Sequence, residues 1–279
     1  SIVAVKSIKK AFSSASDGAR LREVNALKHL DSNPFIVQVY EVVYDASTRL
    51  VHISMEYMPS NLYQLMQARQ GVYLDPASVR QLISQILAGL VHIHSSGWFH
   101  RDIKPENILV SSRGENALSY SVKIADFGLS RQLCSSPPYT NYVSTRWYRA
   151  PEMLLQCPYY SAPSDMWALG AVAMELATLR PLVPGANMLD QLLKVFRLLG
   201  CPDPEKMKSP TTGGSWAQAS VLASKIGINF PVTPGIRLES LIPAPSQTPN
   251  FPSFCAALLC WNPHVRLTAQ QALQHPYIQ

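Results

Sequence analysis

The sequence predicts an α+β protein of two unequal lobes, a small strand-rich lobe over residues 1–60 and a large, mainly helical lobe over residues 61–279. Three observations lead there. The first sixty residues hold β-branched runs around a single helical pattern. Long apolar stripes with helical spacing then take over. The chain has 279 residues, 47% of them hydrophobic, enough for one large core or two smaller ones.

The elements follow in order. SIVAVKSIKK reads as a strand through Val3, Ala4, Val5 and Ile8, with Lys6 near its end. In ARLREVNALKHL the three-residue spacing of Leu21, Val24, Leu27 and Leu30 predicts a helix. FIVQVYEVV and LVHISMEYM read as strands, and the cleft between the lobes is expected near Glu56 to Asn61. Asp75 and Pro76 start a helix whose stripe runs through Val79, Leu82, Ile83, Ile86, Leu87, Leu90 and Val91 and ends at Gly97. PSDMWALGAVAMELATL is apolar nearly all round, which predicts a buried central helix. MLDQLLKVFRLLG is a further helix, closed by its glycine and a following proline. Between about 201 and 252 prolines accumulate and periodicity fades, predicting an extended segment that follows the surface.

Composition narrows the function classes. The longest apolar stretch, ALGAVAMELATL, is broken by Glu175 and is shorter than the roughly 18 residues of a membrane span, so no membrane partner is expected. Five cysteines without a C-x-x-C pair favour neither a disulfide framework nor a zinc site, and they suit a reducing cytoplasm or nucleus. The net charge of +6 is dispersed, which reads as a solvated basic surface rather than a nucleic-acid interface. His92 and His94, near the end of an apolar helix, read as packing or surface histidines rather than ligands.

HRDIKPEN occupies positions 100–107, and ADFG follows at 125–128 after a strand-like SVKI. Two aspartates, a lysine and an asparagine on loops suit phosphoryl transfer from a metal-bound nucleotide, because positioning and charge neutralisation dominate that chemistry. With VAVK before them and RAPE after them, in that order, these motifs resemble the signature set of the protein kinases. The resemblance implies the bilobal protein-kinase fold, ATP and Mg²⁺ as cofactors, and protein substrates.

It also implies roles for single residues. Lys6 matches the lysine on the α- and β-phosphates and Glu23 its helix-borne partner, while Asp102 matches the acceptor of the substrate hydroxyl proton. Lys104 would neutralise the transferring phosphoryl group, as in serine/threonine kinases, and Asn107 and Asp126 would be magnesium ligands. Ala4, Met55 and the backbone of Glu56 and Met58 would frame adenine. His100, Thr145, Asp165 and the pair Glu152 and Arg266 are expected to support the loops rather than react.

YTNYVSTRWYRAPE resembles the branch holding cyclin-dependent and mitogen-activated kinases. EYMPSNLYQLM and LRPLVPGANMLDQLLKVFRLLG narrow the likeness to the group of male germ cell-associated and intestinal cell kinases and their fungal meiotic relatives. This implies a monomer that phosphorylates serine or threonine in a proline-directed context shaped around Tyr148 and Arg149. It also implies an upstream kinase acting on Thr140 or Tyr142, with Arg22, Arg101, Arg131 and Arg149 as candidates to grip the phosphate.

Three positions depart from the group's pattern: Asn262 before Pro263, Leu267 after Arg266, and Val183 in place of an aromatic. No glycine-rich turn precedes Lys6 either. The expectation is an N-terminally incomplete kinase domain that binds ATP poorly and turns over slowly until the missing loop is restored; the alternative is a kinase-like binding scaffold or inactive fragment.

Overall fold

The computed structural model describes residues 2–14, 16, 21–113, 119–133, 145–207 and 211–279. In the small lobe β1 (Val3–Ile8) pairs antiparallel with β3 (Leu50–Glu56), which pairs antiparallel with β2 (Val39–Asp45), giving the order β1-β3-β2. Alternation along β1 turns Val3 and Val5 outward, 44% and 59% exposed. Lys6 shares the other face with Ala4 and Ile8. Beneath this sheet Val51 and Ile53 pack with Phe12 and Val24, the last carried by helix α1 (Arg22–His29). Lys28 and His29 in the last turn of α1 complement its dipole.

A strap over residues 33–37 joins the lobes. Ile36 makes a parallel bridge to Ile124, whose N–H donates to Phe35 O at 2.8 Å and whose carbonyl accepts from Val37 N–H at 3.0 Å. Ile124 ends β7 (Ser119–Ile124), which pairs with β6 (Ile108–Arg113). β6 pairs in turn with the short β4 (Ser60–Asn61), so β4, lying across the boundary expected between residues 60 and 61, is hydrogen-bonded into the large-lobe sheet.

Helix α2 (Leu62–Ala68) starts at a capping box between Asn61 and Gln64. Helix α3 (Pro76–Ser95) starts at Asp75, whose carboxylate accepts the Ser78 N–H at 3.0 Å, with Pro76 preset for the first turn. Its predicted stripe is buried. Gly89 lets α3 approach β7 and the strap, since a Cβ there would sit 2.8 Å from Ile124 Cδ1 and 3.2 Å from Phe35 O.

After the two-residue strands β5 (Trp98–Phe99) and β8 (Arg131–Gln132) and the single turn α4 (Pro151–Leu154) comes α5 (Pro163–Thr178). Every residue of α5 from Ser164 to Ala177 is buried, as expected from its apolar circumference. Helix α6 (Met188–Leu199) is capped by Asn187 and closed by Gly200 at φ 81°. Among the described residues no helix is long and apolar enough to cross a membrane.

The segment expected to follow the surface between 201 and 252 is instead part of the core. It contains α7 (Ala217–Lys225), and Trp216, Ala219, Leu222, Ala223, Phe230, Leu238 and Ile242 are all buried. Phe230 meets Phe196 of α6 edge-on at 4.5 Å, and Trp261 stacks on Phe196 at 5.0 Å. The periodicity of Trp216, Ala219, Leu222 and Ala223 is helical but short, and the surrounding prolines obscured it.

Helices α8 (Phe251–Leu258) and α9 (Ala269–Leu273, with a capping box between Thr268 and Gln271) complete the lobe. The departures noted in the sequence are accommodated locally. Asn262 Oδ1 accepts the His264 N–H at 3.0 Å, Leu267 donates its N–H to Ala257 O at 3.3 Å, a bond proline cannot make, and Val183 is buried.

Candidate active site

The alternation of β1 aims Lys6 at α1 and at the loop that follows β7. Its Nζ lies 2.8 Å from both carboxylate oxygens of Glu23 and 2.8 Å from Oδ1 of Asp126. One ammonium thus ties a small-lobe strand to a small-lobe helix and to a large-lobe loop. Burial works against the Lys6 charge but is outweighed by Glu23 and Asp126, so its pKa is raised. Burial pushes Glu23 up against the opposing pull of Lys6. It would also raise Asp126, but the hydrogen bond and charge of Lys6 outweigh it and hold that carboxyl below its usual range.

Asp126 has a left-handed backbone, φ 64°, which turns its side chain toward Lys6. Phe127 beside it is fully buried and packs edge-on against His100, with ring centroids 4.9 Å apart. Gly128 follows because a Cβ there would come within 3.3 Å of Asp126 Oδ1. A cleft of about 690 Å³ opens beside the pair, lined in part by Lys6, Lys10, Phe12, Arg22, Glu23 and Gly128. On the neighbouring strand Ala4 faces Met55, and Glu56 ends β3 two residues before Met58.

The loop after β5 carries the other reactive groups. Asp165 of α5 is buried at 1% exposure; its Oδ2 accepts His100 N–H at 2.7 Å and its Oδ1 accepts Arg101 N–H at 2.8 Å. His100 in turn bonds through Nε2 to Ala125 O at 3.0 Å, joining this loop to the one that carries Asp126. Asp102 Oδ2 accepts from Lys104 Nζ at 2.7 Å and from Asn107 Nδ2 at 2.9 Å. Asn107 Nδ2 also donates to Asp102 O at 2.8 Å. Both bonds to the carboxylate fall on Oδ2 and leave Oδ1 out.

The Asn107 amide nitrogen is committed to Asp102, and its backbone carbonyl accepts the Ala125 N–H at 2.9 Å, tying this loop to the one that carries Asp126. Asn107 and Asp126 bring oxygen donors of the hard kind that would suit Mg²⁺.

Of the residues expected as supports, Glu152 and Arg266 meet in the large lobe. Arg266 grips Glu152 through two parallel bonds of 2.7 and 2.6 Å, donates to the carbonyls of Cys260, Pro163 and Trp261, and lies 5.3 Å over the Trp167 ring. Arg131 stands opposite Phe99 in the β5–β8 ribbon; Arg149 donates its N–H to Arg146 O at 3.0 Å; and Thr145 is exposed. Thr140 and Tyr142 lie outside the described residues.

Some contributors were missed in the sequence. His94, read as a packing or surface histidine, bonds through Nε2 to Asp165 Oδ2 at 3.0 Å and so braces the loop anchor. Tyr160 holds the Arg101 guanidinium through its hydroxyl and ring, while Leu129 O accepts from the same side chain at 3.1 Å. Tyr148 donates to the buried Glu175 at 2.7 Å. None of these pairings has a short-range sequence signal, because each spans 27 residues or more.

Two lobes joined at a hinge, with a lysine bridging a helix carboxylate and a loop aspartate above an aspartate–lysine–asparagine loop, define the protein-kinase class. Residues 1–278 match the protein kinase domain, and the chain belongs to that family. It is 38% identical over 296 residues to the meiosis induction protein kinase IME2/SME1 of Saccharomyces cerevisiae, covering 100% of this chain and 46% of that protein. It is 43% identical over 278 residues to the serine/threonine-protein kinase MAK of Homo sapiens, covering 100% and 41%. With cyclin-dependent kinase F-4 of Oryza sativa it shares 40% over 278 residues, covering 100% and 56%. These relatives place it in the CMGC branch, and the chain spans about half the length of the curated relatives it matches.

Proposed function

We propose that this chain catalyses transfer of the γ-phosphoryl group of ATP to serine or threonine hydroxyls of proteins. The observation that carries the reading is the Lys6 ammonium held 2.8 Å from both Glu23 and Asp126, a cation between the lobes that nucleotide phosphates would meet. In the reaction the substrate oxygen bonds to the γ-phosphorus, and the bond from that phosphorus to the β–γ bridging oxygen breaks. The electron pair leaves with ADP, and Asp102 accepts the hydroxyl proton. Lys104, 2.7 Å from Asp102, offsets charge on the transferring group. Asn107 and Asp126 would hold magnesium, which when bound supplies charge neutralisation to the phosphates.

The finer reading is a proline-directed kinase, with Tyr148 and Arg149 shaping the acceptor site. It is switched by an upstream kinase at Thr140 or Tyr142 through Arg101, Arg131, Arg149 and Arg22. The reading also places the protein in the cytoplasm or nucleus, where thiols stay reduced. The test is phosphorylation of matched peptides carrying Ser-Pro or Ser-Ala, with ATP and Mg²⁺, before and after treatment with a phosphatase. Faster transfer to Ser-Pro that falls on dephosphorylation is expected. Equal rates on both peptides would overturn the proline preference, and an unchanged rate after complete dephosphorylation would overturn the switch.

A further inference from the structure

Behind the hinge the structure holds an ion pair that the phosphotransfer site does not use. In β7 the residues Tyr120, Val122 and Ile124 point inward and are buried, so alternation turns Lys123 the other way, toward the end of β3. There Lys123 Nζ lies 2.8 Å from Glu56 Oε1. The same carboxylate oxygen accepts the Gln38 N–H at 2.7 Å, and the Glu56 N–H donates to Gln38 O at 2.9 Å. Lys123 Nζ also reaches Ile36 O at 3.4 Å. With side chains only 17% and 18% exposed, this is not a free surface pair. It is a closed knot of three segments: the hinge end of β3, the strap over 33–38, and the strand that runs three residues later into Asp126.

We propose that Glu56 and Lys123 form a latch that orders the hinge, and that Lys123 is a positioning residue for adenine. The proposal rests on the kinase reading in placing adenine against the backbone of Glu56 and Met58. The Glu56 carboxylate is held through Oε1 on the side of Gln38 and Lys123, so its link to the nucleotide runs through its own backbone. Two bonds to Gln38 and one to Lys123 fix the peptide that presents the hinge N–H and C=O groups. A hinge already held in its binding geometry loses less conformational freedom when adenine docks. Cutting the latch therefore weakens adenine binding without touching phosphates or the hydroxyl acceptor.

The variants are Lys123→Met, Glu56→Gln and the two combined, with Lys123→Arg as the conservative control. Adenosine, which has no phosphate, is titrated alongside ATP, and amide hydrogen exchange is followed at Gln38, Glu56 and Met58 in the free protein. Lys123→Met should weaken adenosine and ATP binding by the same factor, about three- to tenfold, the scale of one partly buried ion pair. KM for ATP should rise with kcat little changed, and the three amides should exchange faster. Lys123→Arg should restore both properties, and the double variant should be no worse than the weaker single one.

Unchanged adenosine affinity in Lys123→Met overturns the proposal. So does a loss confined to ATP, since that marks a distant charge acting on phosphates. If the full-length protein binds neither adenosine nor ATP, the kinase reading fails, and the exchange arm alone then decides whether Lys123 orders the hinge.

Discussion

The Asp165 carboxylate accepts the backbone N–H of Arg101 at 2.8 Å, and Arg101 sits in the left-handed region at φ 72°. A side chain with a Cβ costs about 1–2 kcal/mol in that conformation. Asp165 offsets this cost with a second bond, accepting the His100 N–H at 2.7 Å, and so fixes the backbone just before Asp102. The chemistry of Asp102 therefore depends on a carboxylate some sixty residues later in the chain.

Asp165→Asn should lower both stability and turnover, by roughly 1–3 kcal/mol and about tenfold or more, because an amide cannot accept through both atoms. The pH signature is specific. Burial would raise the Asp165 pKa, but His94 and His100 outweigh it and hold it below its ordinary value of 3.8. A depressed carboxylate stabilises the fold above about 3.8, and that stability is lost as pH falls through the folded value. Acid unfolding followed by circular dichroism should show a shallower acid limb in Asp165→Asn than in the wild type.

Glu175 should behave in the opposite sense. Burial raises it from 4.5 to about 7, against the hydrogen bond from Tyr148 and with a further push from Glu106. Between these values the folded chain holds a proton that the unfolded chain has released, so stability falls as pH rises and the loss is complete above about 7. Glu175→Gln should be more stable than the wild type at about pH 8, by up to roughly 3 kcal/mol, and the gain should vanish near pH 4.5. Denaturant melts at the two pH values check this; a gain independent of pH would refute it.

The Glu152–Arg266 pair predicts an asymmetry. Arg266→Met leaves Glu152 buried without its cation and should cost about 3–5 kcal/mol, seen as a large drop in Tm. Adding Glu152→Gln to that variant should recover part of the loss, since the stranded charge is then gone. No recovery would mean that the three backbone carbonyls bound by Arg266, rather than the ion pair, dominate its contribution.

What could be read from the sequence follows the range of each signal. The helices at Pro76–Ser95, Pro163–Thr178 and Met188–Leu199 were legible because apolar periodicity and caps are local. Lys6, Asp102, Asn107 and Asp126 were legible because short motifs carry them. Helix Ala217–Lys225 was missed because two turns among prolines give little periodicity, although burial of Trp216 and Leu222 fixes it in the fold. His94, Tyr160 and Lys123 were missed for another reason. Each acts through a partner 59 to 71 residues away, and only the folded chain brings those partners together.

The central claim is that Asp102 accepts the substrate hydroxyl proton at a site assembled around Lys6. The most direct measurement compares wild type and Asp102→Asn for phosphate transfer from ATP to a Ser-Pro peptide, with ATP affinity and Tm recorded for both. Turnover should fall about 10²-fold or more while ATP affinity changes little and Tm falls far less than in Arg266→Met, because an amide oxygen can still accept from Lys104 and Asn107 but cannot take up the proton. Equal turnover by the two proteins would contradict the account.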